Sequence, residues 1–282
     1  MSGEEVEDRF RRIFKYYKSK LPPPKLDKVI NVTKGCNVDP VMTKIDSTPG
    51  LVDDDHLIDS GLWKIYQTSN GITLISNPFK SRGISYWALR CLQDFSQNKN
   101  NLKDQNWFEC VQDNPSLRSK LRWATLGYHH DWDTKVYDEK EASPFPSDLA
   151  KLCETILRYV SNLLPNNYQS EAAIINYYPM DASLGGHIDH SEPNRTSPLV
   201  SISFGQSAIF LIGGPSKTVE PVPILLQNGD IVIMSEQARQ SYHAVPKIVP
   251  SSNAYFAEEV DGDFAKNYLQ THRINMNVRQ VF

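Results

Sequence analysis

The chain has 282 residues, 40% of them hydrophobic, enough to bury a full core as one large domain or as a domain plus an arm. Its net charge of −3 does not advertise a nucleic-acid binder, and no stretch is long or apolar enough to span a membrane. The cysteines, Cys36, Cys91, Cys110 and Cys153, are scattered with no Cys-x-x-Cys pair, which argues against a zinc site or a disulfide framework.

Residues 4–18 have the spacing of an amphipathic helix, with Val6, Phe10, Ile13, Phe14 and Tyr17 on one face. The acids Glu4, Glu5, Glu7 and Asp8 argue against a secretory signal and against a typical transit peptide. The expected location is therefore intracellular, in the nucleus or cytoplasm, with a mitochondrial address left open. Residues 9–28 then carry Arg9, Arg11, Arg12, Lys15, Lys18, Lys20, Lys25 and Lys28 against the single acid Asp27. Such a cluster suits phosphates, although a solvated helix face has the same composition. Leu21 and Pro22–Pro24 end the helix as a stiff, extended linker, and residues 30–61 read as a long connection lying on the body. Residues 1–60 thus form a basic helix and linker ahead of a domain spanning 61–282.

Short strands are expected at Trp63–Tyr66 and Ile72–Ile75 around the turn signal Ser69-Asn70-Gly71. Ile84, Trp87, Ala88, Cys91, Leu92 and Phe95 mark a second helix, and residues 96–106 read as a mobile loop. A second basic cluster, Arg118, Lys120 and Arg122, precedes a strand. Ser147 is a candidate N-cap for a helix running to about Leu164, with Pro165 as its stop. From 172 onward the pattern changes to short strands at 172–178, 186–190, 199–204, 207–212, 223–226, 230–234, 241–245, 253–257 and 272–281. Many short strands punctuated by Gly, Pro and Asn favour a sandwich or jelly roll.

Three pieces of this region carry chemistry. Residues at i and i+2 of a strand share a face, so His187 and Asp189 can grip one ion, with His243 arriving from far downstream. Two histidines and one carboxylate leave about half of an iron(II) coordination sphere open. Taken alone, His-x-Asp is a weak signal that also fits a surface ion pair. The third piece is a strict alternation near the C-terminus. Arg273, Asn275, Asn277 and Arg279 face one way, and Ile274, Met276 and Val278 face the other. A polar ladder ending in cations suits a dicarboxylate, but six residues of strand span roughly 20 Å. Both arginines reach one small ligand only if the strand twists and their side chains lean inward. Asn176 and Tyr178 share a face of a buried strand and can hydrogen-bond a carboxylate.

Asn176-Tyr177-Tyr178, His187-x-Asp189, Ser203-Phe204-Gly205, Asn228-Gly229-Asp230, His243 and Arg273-x-Asn275-(x)3-Arg279 occur in the order seen in the AlkB family. The chain resembles those iron(II)- and 2-oxoglutarate-dependent dioxygenases, and most of all the first eukaryotic AlkB homologue subgroup. Leu121–Tyr128, Pro144–Asp148 and Ser203–Phe210 support the match, which covers most of the chain apart from the stretch around 30–60. The resemblance implies an α+β fold, a double-stranded β-helix (jelly-roll) core with supporting helices and an N-terminal helical arm. It also implies that His187, Asp189 and His243 hold Fe(2+) and that 2-oxoglutarate chelates the iron through its keto acid end. Arg273 would take the distal carboxylate with help from Asn176 and Tyr178, and Asn275 and Arg279 would sit nearer the iron. With O2 the site would hydroxylate an N-methyl group, which then departs as formaldehyde.

The implied substrate is a methylated base extruded from nucleic acid and held between flat side chains. The candidate region is about 98–135, ahead of a metal-binding jelly roll at about 170–282. Candidate contacts are Trp107, in a lid loop, and Tyr128, His129 and His130, with Trp123 read as packing. A metal site at His129-His130-Asp131 is disfavoured because adjacent strand histidines face opposite ways. His190 is expected to point away from the metal. Ser191 stands where some relatives carry an acid that contacts the base. Expected partners are tRNA (N1-methyladenine, or oxidation of 5-methylcytosine) or DNA, bound through the basic arm and the Arg118/Lys120/Arg122 region by a monomer. Two alternatives use other chemistry: a protein (for example histone) demethylase or hydroxylase with the same iron site, and an abasic-site DNA lyase, for which no lysine stands out.

Overall fold

The computed structural model describes residues 7–38, 41–45, 57–59, 61, 63–97, 120–160, 163, 165–251 and 263–282. Val6, the lid candidate Trp107, the basic residue Arg118, the helix end Leu164 and the expected strand 253–257 lie outside the described residues.

Helix α1 spans Arg9–Lys18, and it begins there because the Asp8 carboxylate accepts the Arg11 N–H at 2.7 Å. Strands β1 (Thr43–Ile45), β2 (Lys64–Gln67) and β3 (Ile72–Ser76) lead into α2 (Ser81–Leu89), which continues as a π turn over Arg90–Asp94. Then come β4 (Trp123–His130), β5 (Tyr137–Ala142), α3 (Ser147–Tyr159), β6 (Ala172–Pro179), β7 (Leu184–His187), β8 (Leu199–Gly205) and β9 (Ser207–Ile212). The chain closes with β10 (Val222–Leu226), β11 (Ile231–Met234), a 3-10 turn (Glu236–Gln240), β12 (His243–Val249), α4 (Asp263–Leu269) and β13 (His272–Arg279).

The strands form two antiparallel sheets, a major one ordered β1-β2-β3-β11-β8-β13-β6-β4-β5 and a minor one ordered β10-β9-β12-β7. Their facing sides share one apolar cluster, with Leu74, Leu199, Val232 and Met234 from the major sheet against Ala208, Phe210, Leu226 and Val245 from the minor. This is the expected jelly roll with helices added. Period-two alternation explains how each sheet is used. Ile274, Met276 and Val278 of β13 point outward into a core with α2 and α3, and all are fully buried. Trp63 stacks on Tyr159 there, with ring centroids 3.8 Å apart. The polar set of β13 is left facing the space between the sheets.

Several boundaries differ from the sequence reading. Pro146, not Ser147, occupies the N-cap of α3, and the helix stops at Tyr159 because Val160, Ser161 and Asn162 are poor helix formers. Strands β1 and β5 and helix α4 were not expected; Tyr137–Ala142 has no apolar alternation to announce a strand. Strand β7 ends at His187 instead of running to 190, so Asp189 lies beyond its end.

The basic helix is docked. Phe10 and Tyr17 of α1 join Ile209, Leu211 and Ala244 in an apolar cluster on the outer face of the minor sheet. The Phe10 ring sits where side chains at Gly186 and Gly213 would stand: a Cβ would come within 2.7 Å of it at Gly186 and 2.9 Å at Gly213. Those two glycines create the notch that admits the ring. The segment after α1 folds back, with the Lys25 N–H donating to the Tyr16 hydroxyl at 3.0 Å and Lys247 Nζ donating to the Ser19 carbonyl at 3.0 Å.

Phe10→Ala empties this notch and should destabilise the fold by about 3–5 kcal/mol in denaturant melts. A loss below about 1 kcal/mol would show that α1 is only loosely held.

Candidate active site

The two sheets enclose a cavity of about 380 Å³, within the size range of small-ligand sites. One end is built by β7 and β12, which pair antiparallel with His243 directly opposite His187. Their ring centroids are 4.3 Å apart. Asp189 follows from the segment after β7, and its Oδ1 lies 3.6 Å from His187 Nε2. Ligand atoms of His187, Asp189 and His243 all lie within 4.8 Å of one another.

Each imidazole is oriented by the backbone. His187 Nδ1 donates to the Gly185 carbonyl at 2.9 Å and His243 Nδ1 to the Ser241 carbonyl at 3.2 Å. A carbonyl only accepts, so both protons sit on Nδ1 and both Nε2 lone pairs are free to bind a metal. Burial pushes His243 down to about 4, partly offset by Asp189, which keeps it a neutral ligand at physiological pH. Burial opposes ionisation of Asp189, but Arg279, His243 and His187 outweigh it, and its pKa falls well below the usual carboxylate range. Two imidazole nitrogens and one carboxylate are the donor set of an iron(II) site with open positions.

The other end is deep and cationic. Arg273 is 1% exposed; its Nη1 donates to the Gln206 carbonyl at 3.2 Å and its Nη2 to Ser203 Oγ at 2.7 Å. Its Nε is buried without a hydrogen-bond partner among the described residues. Burial pulls its pKa down to about 10, with Tyr178 and Asp230 offsetting only part of that loss. This arginine lacks a full counter-anion, and the cavity in front of it, lined by Asn176, Tyr178 and Asn275, has room for one. Asn275 is itself tied to Ser201 Oγ at 2.9 Å and the Ile202 carbonyl at 3.2 Å.

Arg279 lines the same cavity at its metal end, 3.4 Å from Asp189 Oδ2. Burial opposes its charge too, but Tyr137, Asp189 and Glu192 more than compensate, and its pKa rises above the usual arginine range. Both arginines of β13 thus reach one cavity.

Part of the lining is aromatic. His130 is 7% exposed, lines the cavity and has its Nε2 3.1 Å from Ser191 Oγ. Its Nδ1 is buried without a hydrogen-bond partner among the described residues. Trp132 packs edge-on against it at 4.7 Å and also lines the cavity. Tyr128 and His129 are not brought to this lining. Tyr128 packs edge-on against Phe282 at 4.9 Å, and His129 bonds Thr125 Oγ1 at 2.8 Å and Ser143 Oγ at 2.5 Å. A register shift between Tyr128 and His130 sends their side chains to different surroundings. Trp123 packs on Trp132 at 5.2 Å. His190 also borders the cavity, and its Nδ1 donates to the Ile188 carbonyl at 2.8 Å.

Sequence reasoning missed Trp132, Glu192 and Arg239. Trp132 sits in a turn with no periodicity to flag it. Glu192 and Arg239 are each 1% exposed and form a buried ion pair, which only the three-dimensional packing reveals.

The model of the 2OG-Fe(II) oxygenase superfamily matches residues 71–279. The chain belongs to that superfamily. It is 32% identical to the human nucleic acid dioxygenase ALKBH1 over 337 aligned positions, covering 100% of this chain and 86% of that protein. It is 41% identical to the tRNA demethylase abh1 of Schizosaccharomyces pombe over 167 positions, 58% of this chain and 54% of that one. These relatives place the dioxygenase among the AlkB proteins. The solved structure of OsALKBH1 has the same fold, with a TM-score of 0.50 at 17% identity over 77% of this chain and 99% of that one. Membership makes iron(II), 2-oxoglutarate and oxygen the reagents of this enzyme.

Alanine at His187, Asp189 or His243 should each lower the affinity for one equivalent of Mn(II) by more than about 100-fold. Calorimetric titration of the metal-free protein measures this. Native-like affinity in any of the three variants would remove that residue from the ligand set.

Proposed function

We propose that the enzyme oxidatively removes methyl groups from nucleobases, with tRNA bearing N1-methyladenine as the leading substrate. The observation that carries this reading is one continuous cavity. It joins the His187, Asp189 and His243 cluster to Arg273, which lacks a full counter-anion, and is lined as well by His130 and Trp132. Two relatives, one a nucleic acid dioxygenase and one a tRNA demethylase, support the choice of substrate class.

Each part has a task in this reading. His187, Asp189 and His243 hold iron(II), which with oxygen and 2-oxoglutarate supplies the oxidising power. Arg273 receives the distal carboxylate of 2-oxoglutarate through its planar fork, and Asn176 and Tyr178 add hydrogen bonds. The keto acid end would then face the metal cluster, with Asn275 and Arg279 as the lining residues beside it. The rings of His130 and Trp132, set edge-on to one another, offer aromatic surface to an extruded base, and His130 Nδ1 offers a polar contact to its edge. Burial and Arg279 both depress the pKa of His130, so it meets the base as a neutral imidazole.

The backbone of the nucleic acid needs cations near these rings and along the arm. Exposed Lys120, Arg122 and Lys135 lie on the segments flanking β4, and Lys135 Nζ sits 5.7 Å over the Trp132 ring. On α1 the basic side chains are not equivalent. Arg12 pairs with Glu7 at 3.1 Å and Glu220 at 2.8 Å, and Arg9 pairs with Glu7 at 3.8 Å. That leaves Arg11, Lys15 and Lys18 as the phosphate contacts on α1, with exposed Lys20, Lys25 and Lys28 following it.

The direct test is base-resolved mass spectrometry of tRNA carrying N1-methyladenine after incubation with enzyme, iron(II) and 2-oxoglutarate. Loss of the methyl group with stoichiometric formaldehyde is expected. Turnover confined to a methyl-lysine peptide would refute the nucleobase reading. Arg273→Met should weaken 2-oxoglutarate binding by about 3–5 kcal/mol while leaving Mn(II) affinity unchanged, because it removes one partner of a buried charge pair. Equal cosubstrate affinity would assign the carboxylate elsewhere. Replacing Arg11, Lys15 and Lys18 by glutamine should weaken tRNA binding and reduce its salt slope by about one unit per lost phosphate contact. An unchanged slope would mean that α1 serves only to cover the sheet.

A further inference from the structure

Behind the metal cluster lies a buried tetrad of two carboxylates and two guanidiniums: Asp189, Glu192, Arg239 and Arg279. Arg279 Nη1 is 2.5 Å from Glu192 Oε1 but 3.4 Å from Asp189 Oδ2. Arg239 Nη2 lies 3.3 Å from Glu192 Oε2, and its Nη1 donates to the backbone carbonyl of Asp189 at 3.1 Å. Glu192 and Arg239 are 1% exposed and Arg279 is 4% exposed, so water does little to screen these charges.

The geometry sets up a competition. A metal ion needs the lone pairs and the charge of Asp189. Arg279 is a second cation within reach of the same oxygens, and buried guanidiniums seek a carboxylate. Glu192 wins that contest by almost an ångström. Without its charge, both arginines would have only Asp189 as a counter-ion. Arg279 would close onto Asp189 Oδ2, and the tetrad would carry one excess positive charge beside the metal position.

We propose that Glu192 is a positioning residue that draws Arg279 away from Asp189 and so keeps that carboxylate available to the iron. It stands outside the His187, Asp189 and His243 group and acts through Arg279. Through Arg239 it also anchors the backbone of Asp189, which β7 no longer holds. The proposal rests on the assignment of iron to His187, Asp189 and His243.

Cobalt(II) titration of the metal-free protein, followed by visible absorption and without 2-oxoglutarate, tests it. The set is wild type, Glu192→Gln, Arg279→Gln and the double variant. Relative to the balanced wild type, Glu192→Gln has one positive charge in excess, Arg279→Gln has one negative charge in excess, and the double variant is balanced again. Glu192→Gln should weaken cobalt binding by about tenfold or more. Arg279→Gln should not weaken it, and adding Arg279→Gln to Glu192→Gln should restore affinity to within a few-fold of wild type. A role in packing alone predicts the opposite order, with the double variant weakest. That order, or an unchanged Glu192→Gln, overturns the proposal. Wild-type protein that binds no cobalt, or binds it as well after His187→Ala, would instead remove the metal assignment itself.

Discussion

The structure depends on one register. Strand β12 lies against β7 so that His243 faces His187 across the pair, and a slip of one residue would turn one imidazole out of the cavity. That register is held from both sides. Beyond β12, β9 pairs with it along most of its length, and His243 stands opposite Ile212 there. Outside the pair, the Phe10 ring fills the notch over Gly186 and Gly213, which accounts for a glycine immediately before a ligand histidine. The basic helix that serves nucleic acid in the proposed function therefore also covers the back of the metal strand. Its apolar face supports the site while its charged face is turned to solvent.

Within the cavity, charge balance separates two arginines that look alike in sequence. Arg279 has the carboxylates of Glu192 and Asp189 within reach of its Nη1, and they outweigh the cost of its burial. Arg273 is as deeply buried but has only hydroxyl and carbonyl oxygens, and it is held below its ordinary pKa. A cation left short of an anion at the closed end of a cavity, with an open donor set at the other, is a site shaped for a dianion that also meets the metal. His130 and Trp132 add aromatic surface to the same cavity.

Much of this was legible in the sequence because it rests on short-range rules. The alternation of Arg273, Asn275, Asn277 and Arg279 against Ile274, Met276 and Val278 placed the polar face of β13 correctly, since strand periodicity does not depend on context. The same rule oversimplified His187-x-Asp189. The strand ends at His187, and Asp189 is positioned by the Arg239 contact to its carbonyl instead of by a pleat. Tyr128 was also misplaced: it packs on Phe282 instead of lining the cavity, where the pairing of β4 shifts register through extra residues on β5, a strand with no apolar alternation to announce it. Glu192 and Arg239 were invisible for a different reason. Charged residues are normally exposed, and only the packing of the 3-10 turn against the segment after β7 shows that these two are not. The apolar spacing found the C-terminal end of helix α1 at Lys18 but set its start at residue 4, where Asp8 instead caps a helix that begins at Arg9, and nothing in that spacing says which sheet it covers.

The most direct test of the account is whether one ion and one cosubstrate share this cavity. Anaerobic addition of iron(II) and 2-oxoglutarate to the metal-free protein should produce the visible charge-transfer absorption of a keto acid chelated to iron(II), saturating at one equivalent of each. The absorption should vanish in His243→Ala. It should need far more 2-oxoglutarate in Arg273→Met. Absence of the band from the wild type, or its persistence in His243→Ala, would contradict the account.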